Sequence, residues 1–374
     1  MGKTKVGITG QSGFLGTYLY NTLGLYPEEF ERIPFEDDYF NKEDQLNLFI
    51  SKCDVVVHLA AMNRHNDPEV IYQTNIKLVE KLIKALETAV NKPHILFSSS
   101  IQEERNNLYG TSKREGREML ARWAASNNAL FTGFVFPNLF GPFGDPFYNS
   151  FIATFSYQLT HDQSPGIDKD ASIPLLYVDE AVEFIIDAIR EKNSIDKIEV
   201  PNKGEHQVSD VLDKLKNFKS EYFDNGCFPA LRNAFEVNLF NTFRSYIDHE
   251  SNNPVSLKLN TDNRGSFVET VRTNLGGQFS FSTTKPGITR GNHFHTRKIE
   301  RFAVINGKAV IQLRRIGTNE LMEFNLDGDQ PSYVDMPVWY THNITNVGND
   351  DLYTIFWINE FFNPNDPDTY YEEV

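Results

Sequence analysis

Short apolar runs followed by helical periodicity make up the first two-thirds of the chain. Residues 5–9, 54–61 and 93–100 have the composition of buried β-strands, and helical patterns follow at 17–23 and 70–89. Strands that alternate with helices predict a parallel, doubly wound α/β sheet. In such sheets a ligand binds at the carboxyl ends of the strands, where we expect Asp54, Ala60, Ala61 and Ser100.

The pattern changes after residue 254. The polar segment 249–254 ends in a proline and is typical of a linker. Beyond it, short alternating runs at 279–282, 309–313 and 352–357 predict an all-β sandwich or barrel. We therefore predict two domains, residues 1–249 and 255–374, with helices in 190–247 completing a substrate-binding lobe of the first.

Composition narrows the function classes. The 374 residues are 40% hydrophobic and 23% charged, as in a soluble globular protein of two or three domains. The net charge of −15 argues against nucleic acid or an anionic membrane as a partner, but not against a phosphorylated substrate. Cys53 and Cys227 form no CxxC pair, and we find no signal peptide or membrane-spanning run. A reducing, cytoplasmic location is expected.

A glycine-rich loop opens the first domain. Gly10, Gly13 and Gly16 lie between a strand and a helix, the context in which such glycines let the backbone approach a pyrophosphate. The predicted cofactor-binding loop comprises Thr9, Gly10, Gly13, Phe14, Leu15 and Gly16. Asp37 and Asp38 follow where a carboxylate binds the ribose of NAD(H), and Arg32 is a nearby base for a 2′-phosphate. These nearby residues weakly favour NADH over NADPH.

Tyr109 and Lys113 lie four residues apart on a predicted helix, so they share one face. A nearby ammonium is expected to lower the pKa of the Tyr109 phenol and to make it an acid/base, while Ser100 binds a substrate carbonyl. The plain alternative is a solvated helix face. The preceding glycine loop and serine-rich strand end favour the catalytic interpretation.

Two histidines one residue apart, His293 and His295, point to the same face of a strand. Glu300 follows five residues later, and His342 lies in a second apolar segment. Three imidazoles and a carboxylate predict a site for Zn²⁺ or another divalent cation. Lys285, Arg290 and Tyr340 flank these ligands and are candidates for substrate binding. The alternative is that the histidines are surface residues of an ordinary barrel.

Residues 5–245 resemble the nucleotide-sugar branch of the extended short-chain dehydrogenase/reductases. The resemblance rests on the glycine loop, His58–Leu–Ala–Ala61, the Ser-Tyr-Lys set and Pro137–Asn–Leu–Phe–Gly141. It implies that Leu59, Ala60, Ala61, Pro137 and Asn138 lie at the cofactor and that Asn138 contacts the nucleotide-sugar. In that family an arginine often comes just before this Pro-Asn pair, whereas here the preceding residues are Val135 and Phe136.

Gly287 to Gly307 carries the spacing Gly-x5-His-x-His-x4-Glu-x6-Gly of the cupins, and the segment from Pro337 resembles their second signature. Trp339 stands where the family prefers glycine, and Gly328 is too distant to match. A jelly-roll cupin barrel is the implied fold of the second domain.

The whole chain, including the ending Asn-Pro-Asn-x-Pro-Asp-Thr-Tyr, is similar to bifunctional epimerase–reductases of capsular polysaccharide synthesis. That family acts on a UDP-linked 2-acetamido-2,6-dideoxy-4-ketohexose: the cupin inverts C3, and the reductase domain reduces C4 with NADPH, towards UDP-N-acetyl-L-fucosamine. The resemblance implies substrate contacts at Asn63, Arg64 and Asn149, and a homo-oligomer, with a dimer favoured. The alternatives are a ketoreductase with a non-catalytic cupin, a cofactor-sensing protein and a dioxygenase-type cupin.

Overall fold

The structure is a computed structural model that describes residues 2–262, 265–268, 270–273, 277–360 and 363–374. Its contacts divide the chain into two compact units, Met1–Thr154 with Ile167–Asp210, and Phe155–Gly166 with Val211–Val374. Residues 211–249 are thus grouped with the second unit, and the predicted boundary at 249–255 stays a prediction. In the described part of the chain, no helix combines the length and apolarity needed to cross a membrane.

The elements of the described residues follow in chain order. The helices are α1 (Phe14–Gly24), α2 (Glu43–Ser51), α3 (Pro68–Thr88), α4 (Leu108–Ser126), α5 (Phe151–Thr160), α6 (Val178–Glu191), α7 (Val208–Phe218), α8 (Ala234–Arg244) and α9 (His249–Asn252), with 3-10 helices at Asp37–Asn41 and Ile101–Glu104 and a π-helical turn at Lys219–Asp224. The strands are β1 (Thr4–Thr9), β2 (Phe30–Ile33), β3 (Val55–His58), β4 (His94–Ser100), β5 (Phe131–Phe136), β6 (Asn138–Phe140), β7 (Ser172–Tyr177), β8 (Ile195–Glu199), β9 (Glu205–Gln207), β10 (Cys227–Phe228), β11 (Val255–Ser256), β12 (Leu259–Asp262), β13 (Gly265–Val268), β14 (Arg272–Thr273), β15 (Gln278–Thr284), β16 (Thr289–Phe294), β17 (Glu300–Asn306), β18 (Lys308–Arg315), β19 (Leu321–Asp327), β20 (Ser332–Met336), β21 (Tyr340–Asn346), β22 (Leu352–Ile358) and β23 (Tyr370–Tyr371).

The first unit is built on a six-stranded parallel sheet in the order β2-β1-β3-β4-β5-β8. All residues of β3 and β5 are buried, because helices cover the sheet and parallel strands then read as continuous apolar runs. Side chains of α2, α3 and α4 pack with these strands in one apolar core. The strand order reverses between β1 and β3, the position at which doubly wound sheets bind ligands. The predicted α/β fold is confirmed.

The second unit contains two five-stranded antiparallel sheets, in the orders β11-β20-β17-β22-β15 and β19-β18-β21-β16-β23. Strand β20 is buried throughout, and β18 alternates buried and partly buried residues, as strands facing a core do. The predicted all-β second fold is confirmed.

Residues 211–249 join this unit through aromatic and ionic contacts. The rings of Phe228 and Trp357 lie 4.2 Å apart. The Tyr222 hydroxyl donates to the buried carboxylate of Asp335, which also receives two hydrogen bonds from Arg301. These buried contacts explain why the segment groups with the β-sheets.

Candidate active site and metal centre

A cavity of about 910 Å³ lies at the carboxyl edge of the parallel sheet. Gly10 has a φ of +71°, and a Cβ there would lie 2.8 Å from the backbone of Ala60. At Gly16 a Cβ would lie 2.1 Å from the Gly10 carbonyl oxygen. Only glycine therefore allows the loop after β1 to pass so close to the loop after β3. The structure places the following predicted cofactor residues on the cavity wall: Gly10, Gly13, Phe14, Leu15, Gly16, Asp37, Leu59, Ala60, Ala61, Pro137 and Asn138.

Helix α1 begins at this cavity without a side-chain cap. Gly13 is its N-cap residue, and no side chain accepts a hydrogen bond from the first turn. The free backbone N–H groups and the positive end of the helix dipole suit the phosphates of a dinucleotide. The residues present therefore fit the predicted nicotinamide cofactor.

Two of the predicted cofactor residues lie elsewhere. Asp54 precedes β3, at the amino edge of the sheet, and its carboxylate accepts a hydrogen bond from the Lys5 N–H at 2.8 Å. Asp54 does not line the cavity, so its predicted place at the carboxyl ends is wrong. Thr9 is fully buried beneath the loop, where its hydroxyl pairs with His58 Nδ1 at 2.6 Å.

The cavity also contains two lysines that the sequence reasoning missed. Lys77 and Lys81 on α3 line its wall, and Lys81 donates to Asn41 at the end of the 3-10 helix that begins with Asp37. Asp37 accepts a hydrogen bond from Ser12 at 3.1 Å. Arg32 instead stacks on Tyr20 and does not line the cavity. The sequence feature that could have revealed these lysines is their four-residue spacing, which places both on one face of the helix.

Ser100, Tyr109 and Lys113 line the same cavity, so the predicted set is brought together. Ser100 ends β4, and α4 carries the other two, one turn apart. Helix α4 starts at Leu108 because the Asn107 side chain caps it by accepting from the Gly110 N–H at 2.7 Å. A Cβ on Gly110 would lie 1.9 Å from the Gln102 carbonyl oxygen, so glycine sets how closely α4 approaches the Ser100 segment.

The protonation states differ from the sequence prediction. Burial raises the pKa of Tyr109 to about 12, and neighbouring Tyr148 adds to the rise. Burial lowers the pKa of Lys113 to about 8, against the opposing charge of Glu103. The expected lowering of the Tyr109 pKa by Lys113 is therefore wrong for this structure, since desolvation of the phenolate dominates. At neutral pH Tyr109 is a protonated acid.

A buried ion pair lies beside the strand end that carries Ser100. Glu103 is 1% exposed and receives hydrogen bonds from Arg117 at 3.1 and 3.2 Å and from the Ser99 hydroxyl at 2.7 Å. The pair connects β4, the segment after it and α4, which together present the three candidate catalytic residues.

The predicted substrate residues Asn63, Arg64, Asn138 and Asn149 also line the cavity. Arg64 donates to the carbonyl oxygens of Phe147 and Tyr148 at 2.5 and 2.7 Å. The Tyr148 hydroxyl accepts from the Asn63 N–H at 3.4 Å. Arg64 thus holds the 147–148 loop at the cavity, and Tyr148 is a cavity residue that the motifs did not indicate.

The predicted metal ligands converge in the second unit. The side-chain nitrogens and oxygens of His293, His295, Glu300 and His342 lie within 4.8 Å of one another. His293 and His342 are directly paired between β16 and β21, His295 follows β16, and Glu300 begins β17 in the other sheet. A Cβ on Gly291, which has a φ of +104°, would lie 2.8 Å from the His342 carbonyl oxygen, so glycine permits the irregularity that brings the histidines together.

Among the described residues, three buried atoms of this cluster find no hydrogen-bond partner: Nε2 of His295, Nε2 of His342 and Oε2 of Glu300. Each imidazole nitrogen lies 3.1–3.2 Å from that oxygen. Tetrahedral ligands about 2.1 Å from a Zn²⁺ ion lie about 3.4 Å apart, so the spacing fits a shared cation. Orphaned buried polar atoms need a partner, and the donor set fits a divalent metal.

Carbonyl oxygens orient two of the imidazoles. His295 Nδ1 pairs with the Asp368 carbonyl, and His342 Nδ1 with the Tyr340 carbonyl at 3.3 Å. A carbonyl only accepts, so Nδ1 carries the proton and Nε2 presents its lone pair to the cluster. Burial lowers the pKa of His293 to about 4 and so favours its neutral form. Burial also lowers the pKa of His295, but the Glu300 carboxylate outweighs it, so that the pKa of His295 is raised. For Glu300, burial opposes ionisation but the two imidazoles outweigh it and lower its pKa.

The flanking residues of the second unit are placed as follows. Lys285 and Arg290 are exposed, and Arg290 donates to the Thr283 carbonyl at 3.1 Å. Tyr340 is buried, with its ring 5.7 Å from that of His249. Their substrate contacts stay predictions. Trp339 has a φ of +60°, so the tryptophan adopts the left-handed conformation that the family glycine would supply.

Comparison with known proteins covers both units. The NAD dependent epimerase/dehydratase family matches residues 6–204, and the polysaccharide biosynthesis C-terminal domain matches residues 260–370. The chain is 33% identical to UDP-2-acetamido-2,6-beta-L-arabino-hexul-4-ose reductase of Pseudomonas aeruginosa over 98% of both sequences.

Among solved structures, the capsular polysaccharide assembling protein CapF of Staphylococcus aureus shares 37% identity, with a TM-score of 0.63 over 99% of this chain and 100% of CapF. RMD of Pseudomonas aeruginosa, complexed with NADPH, has 19% identity and a TM-score of 0.53 over 58% of this chain and 83% of its own. That likeness shows the fold alone. The full-length matches confirm the predicted resemblance to capsular-polysaccharide enzymes. The chain therefore belongs to the NAD dependent epimerase/dehydratase family, in the CapF-like form in which a polysaccharide biosynthesis C-terminal domain follows.

Proposed function

We propose that the protein is a bifunctional nucleotide-sugar enzyme that inverts C3 and reduces C4 of a UDP-linked 2-acetamido-2,6-dideoxy-4-ketohexose. The product would be a UDP-6-deoxy-N-acetylhexosamine of the talo type, a precursor of UDP-N-acetyl-L-fucosamine. The observation that supports the proposal is the presence of two candidate sites on one chain: Ser100, Tyr109 and Lys113 at a dinucleotide-type cavity, and a largely buried three-histidine, one-glutamate cluster. The name of the P. aeruginosa relative, a hexul-4-ose reductase, supports the C4 ketone.

In the first unit, a bound nicotinamide would supply the hydride for C4. Ser100 orients the ketone oxygen by hydrogen bonding. Tyr109 is protonated at neutral pH, because burial raises its pKa to about 12, so it can donate a proton to the oxygen as charge develops there. Lys113 retains most of its charge at pH 7, given a pKa of about 8, and stabilises the phenolate that Tyr109 leaves.

For the cofactor we propose NADPH, with NADH possible. Lys77 and Lys81 supply positive charge near Asp37, and this supports a 2′-phosphate. Asp37 itself, held by Ser12, supports a free ribose hydroxyl. The ratio of kcat/KM for the two cofactors decides between them.

In the second unit, a divalent cation held by His293, His295, Glu300 and His342 would supply Lewis acidity that makes the C3 proton more acidic. The protein's own contribution is a largely buried site in which carbonyl oxygens orient the imidazoles of His295 and His342. Zn²⁺ fits the three-nitrogen, one-oxygen set best. Cytoplasmic location and a dimer stay predictions.

The two halves are tested separately with the UDP-4-keto sugar in deuterated water. Tyr109→Phe should abolish NADPH oxidation and leave deuterium exchange at C3, measured by NMR. His293→Ala should abolish exchange and leave NADPH binding intact. Normal exchange in His293→Ala would refute the metal-dependent epimerase. Metal-free wild-type protein that still reduces the ketone would favour a ketoreductase with a non-catalytic second domain.

A further inference from the structure

Asp368, near the C-terminus, is only 2% exposed and has a φ of +41°. Its carboxylate accepts four hydrogen bonds from the turn between His295 and Glu300. Thr296 donates its N–H at 3.1 Å and its hydroxyl at 2.6 Å, and Arg297 and Lys298 donate their N–H groups at 3.0 and 3.1 Å. One side chain therefore fixes the whole turn between two candidate metal ligands.

The backbone carbonyl of Asp368 also accepts a hydrogen bond from Nδ1 of His295. The same residue thus sets the geometry of the turn and the tautomer of the ligand that precedes it. Displacing Asp368 would free both at once.

The rest of the segment 366–373 lies against the other ligand strands. Strand β23 pairs with β16, placing Tyr371 opposite His293 and Tyr370 opposite Phe294. The Glu372 N–H donates to the Asn292 carbonyl at 3.0 Å, and the Thr341 hydroxyl donates to the Glu372 carbonyl. The segment therefore contacts residues adjacent to His293, His295 and His342.

We propose that the C-terminal segment 366–373 is a component of the metal centre, with Asp368 as the positioning residue of His295. Metal binding and the seating of the segment are then coupled. A cation that binds best when His295 is held in place favours the docked position of the segment. By reciprocity, docking of the segment raises the metal affinity by the same factor by which the cation raises the docking equilibrium constant. The inference rests on the metal site of the proposed function but not on the epimerase chemistry.

The first test compares Asp368→Ala with Asp366→Asn by zinc titration calorimetry on the full chain. Asp366 lies in the same segment and pairs with Arg297 at an exposed position, so its variant is the matched control. Asp368→Ala keeps the backbone carbonyl that pairs with His295 but removes the carboxylate that holds the 296–298 turn and this carbonyl in place. Loss of an outer contact that orients a ligand lowers metal affinity about 10- to 100-fold, and we expect a loss in this range for Asp368→Ala. Asp366→Asn should bind zinc within about twofold of wild type, since exposed pairs contribute little.

Asp368→Asn is a milder variant, because it keeps one of the two side-chain acceptor oxygens that Asp368→Ala loses. Its zinc affinity should lie between those of Asp368→Ala and Asp366→Asn. Unchanged zinc affinity in Asp368→Ala would overturn the proposal. Circular dichroism of each variant without zinc reports whether the second unit, which carries the substitution, is folded. Because calorimetry needs no turnover, a wild type that binds zinc without exchanging C3 would refute the epimerase while leaving this inference intact.

The second test needs no substitution. Hydrogen exchange of the amides of residues 370–373 in wild-type protein is measured with zinc and with EDTA. If metal binding and docking of the segment are coupled, zinc should slow the exchange of the amides whose hydrogen bonds hold the segment, such as that of Glu372. All of these amides should slow by one common factor. Equal rates in both conditions would overturn the coupling.

Discussion

Glu103→Gln tests how the buried ion pair supports the candidate catalytic set. The substitution removes the charge that neutralises Arg117, while both side chains are nearly inaccessible to solvent. Breaking one partner of a buried pair costs about 3–5 kcal/mol. The amide keeps one acceptor oxygen, and a hydrogen bond to a charged group recovers about 1.5 kcal/mol of that. We expect the free energy of unfolding of the first unit to fall by about 1.5–3.5 kcal/mol.

Urea unfolding of the full chain measures this loss, and the transition of the first unit is the one that NADPH shifts to higher urea. Glu104→Gln is the control, because Glu104 is adjacent and exposed and should leave the midpoint unchanged. In a double-mutant cycle, Arg117→Met should also be destabilising alone, but the double variant should recover at least about 2 kcal/mol of the summed losses. If the two single substitutions lower the free energy of unfolding additively, Glu103 and Arg117 do not act as a coupled pair.

The same variant has a functional consequence. The Glu103 carboxylate raises the pKa of Lys113 against the effect of burial. Without it the pKa should fall below about 8, so the alkaline limb of the reductase pH–rate profile should move to lower pH. An unchanged profile in a folded variant would show that Glu103 does not influence Lys113.

Three further outcomes are expected. The pKa of Lys113 is about 8 in the folded protein, against its ordinary value of 10.5. Between these two pH values the unfolded chain binds more protons than the folded chain, so the folded state becomes more stable as pH rises. As pH rises from 8 to 10.5, the free energy of unfolding of wild type, measured in urea, should increase by up to about 3 kcal/mol relative to that of Lys113→Met. Gly110→Ala puts a Cβ 1.9 Å from the Gln102 carbonyl oxygen and should shift α4, lowering kcat on the order of 100-fold; a wild-type rate would contradict the close approach. Trp339→Gly relieves about 1–2 kcal/mol of left-handed backbone strain but removes a buried ring that contributes about 3–5 kcal/mol. Calorimetry should therefore show a less stable second unit, and an increase in its stability would contradict this estimate of the two effects.

The sequence predicted the parts of the sites that depend on local geometry. Gly10 and Gly16 could be assigned because a turn between a strand and a helix has few backbone solutions. His293 and His295 could be assigned because alternate residues of a strand share a face. In both cases the residues that act together are close in the chain, and the period of the element relates them.

The wrong or missed residues depend on distances that the chain pattern does not give. Asp54 is an exception, because it begins the apolar run 54–61 and the direction of the chain alone places it at the amino edge of the sheet. The pKa of Tyr109 depends on its burial, which the spacing to Lys113 does not report. Tyr148 and Asp368 reach their sites through Arg64 and His295, 84 and 73 residues away along the chain.

The candidate metal ligands come from both sheets of the second unit, with His293 and His342 in one and Glu300 in the other. A cation bound there would link the two sheets, in addition to hydrogen bonds such as that from the Asn346 side chain to the Thr284 carbonyl. Each tenfold excess of free zinc over its dissociation constant would then add about 1.4 kcal/mol to the stability of that unit. The melting temperature of the second unit would therefore rise with the free zinc concentration.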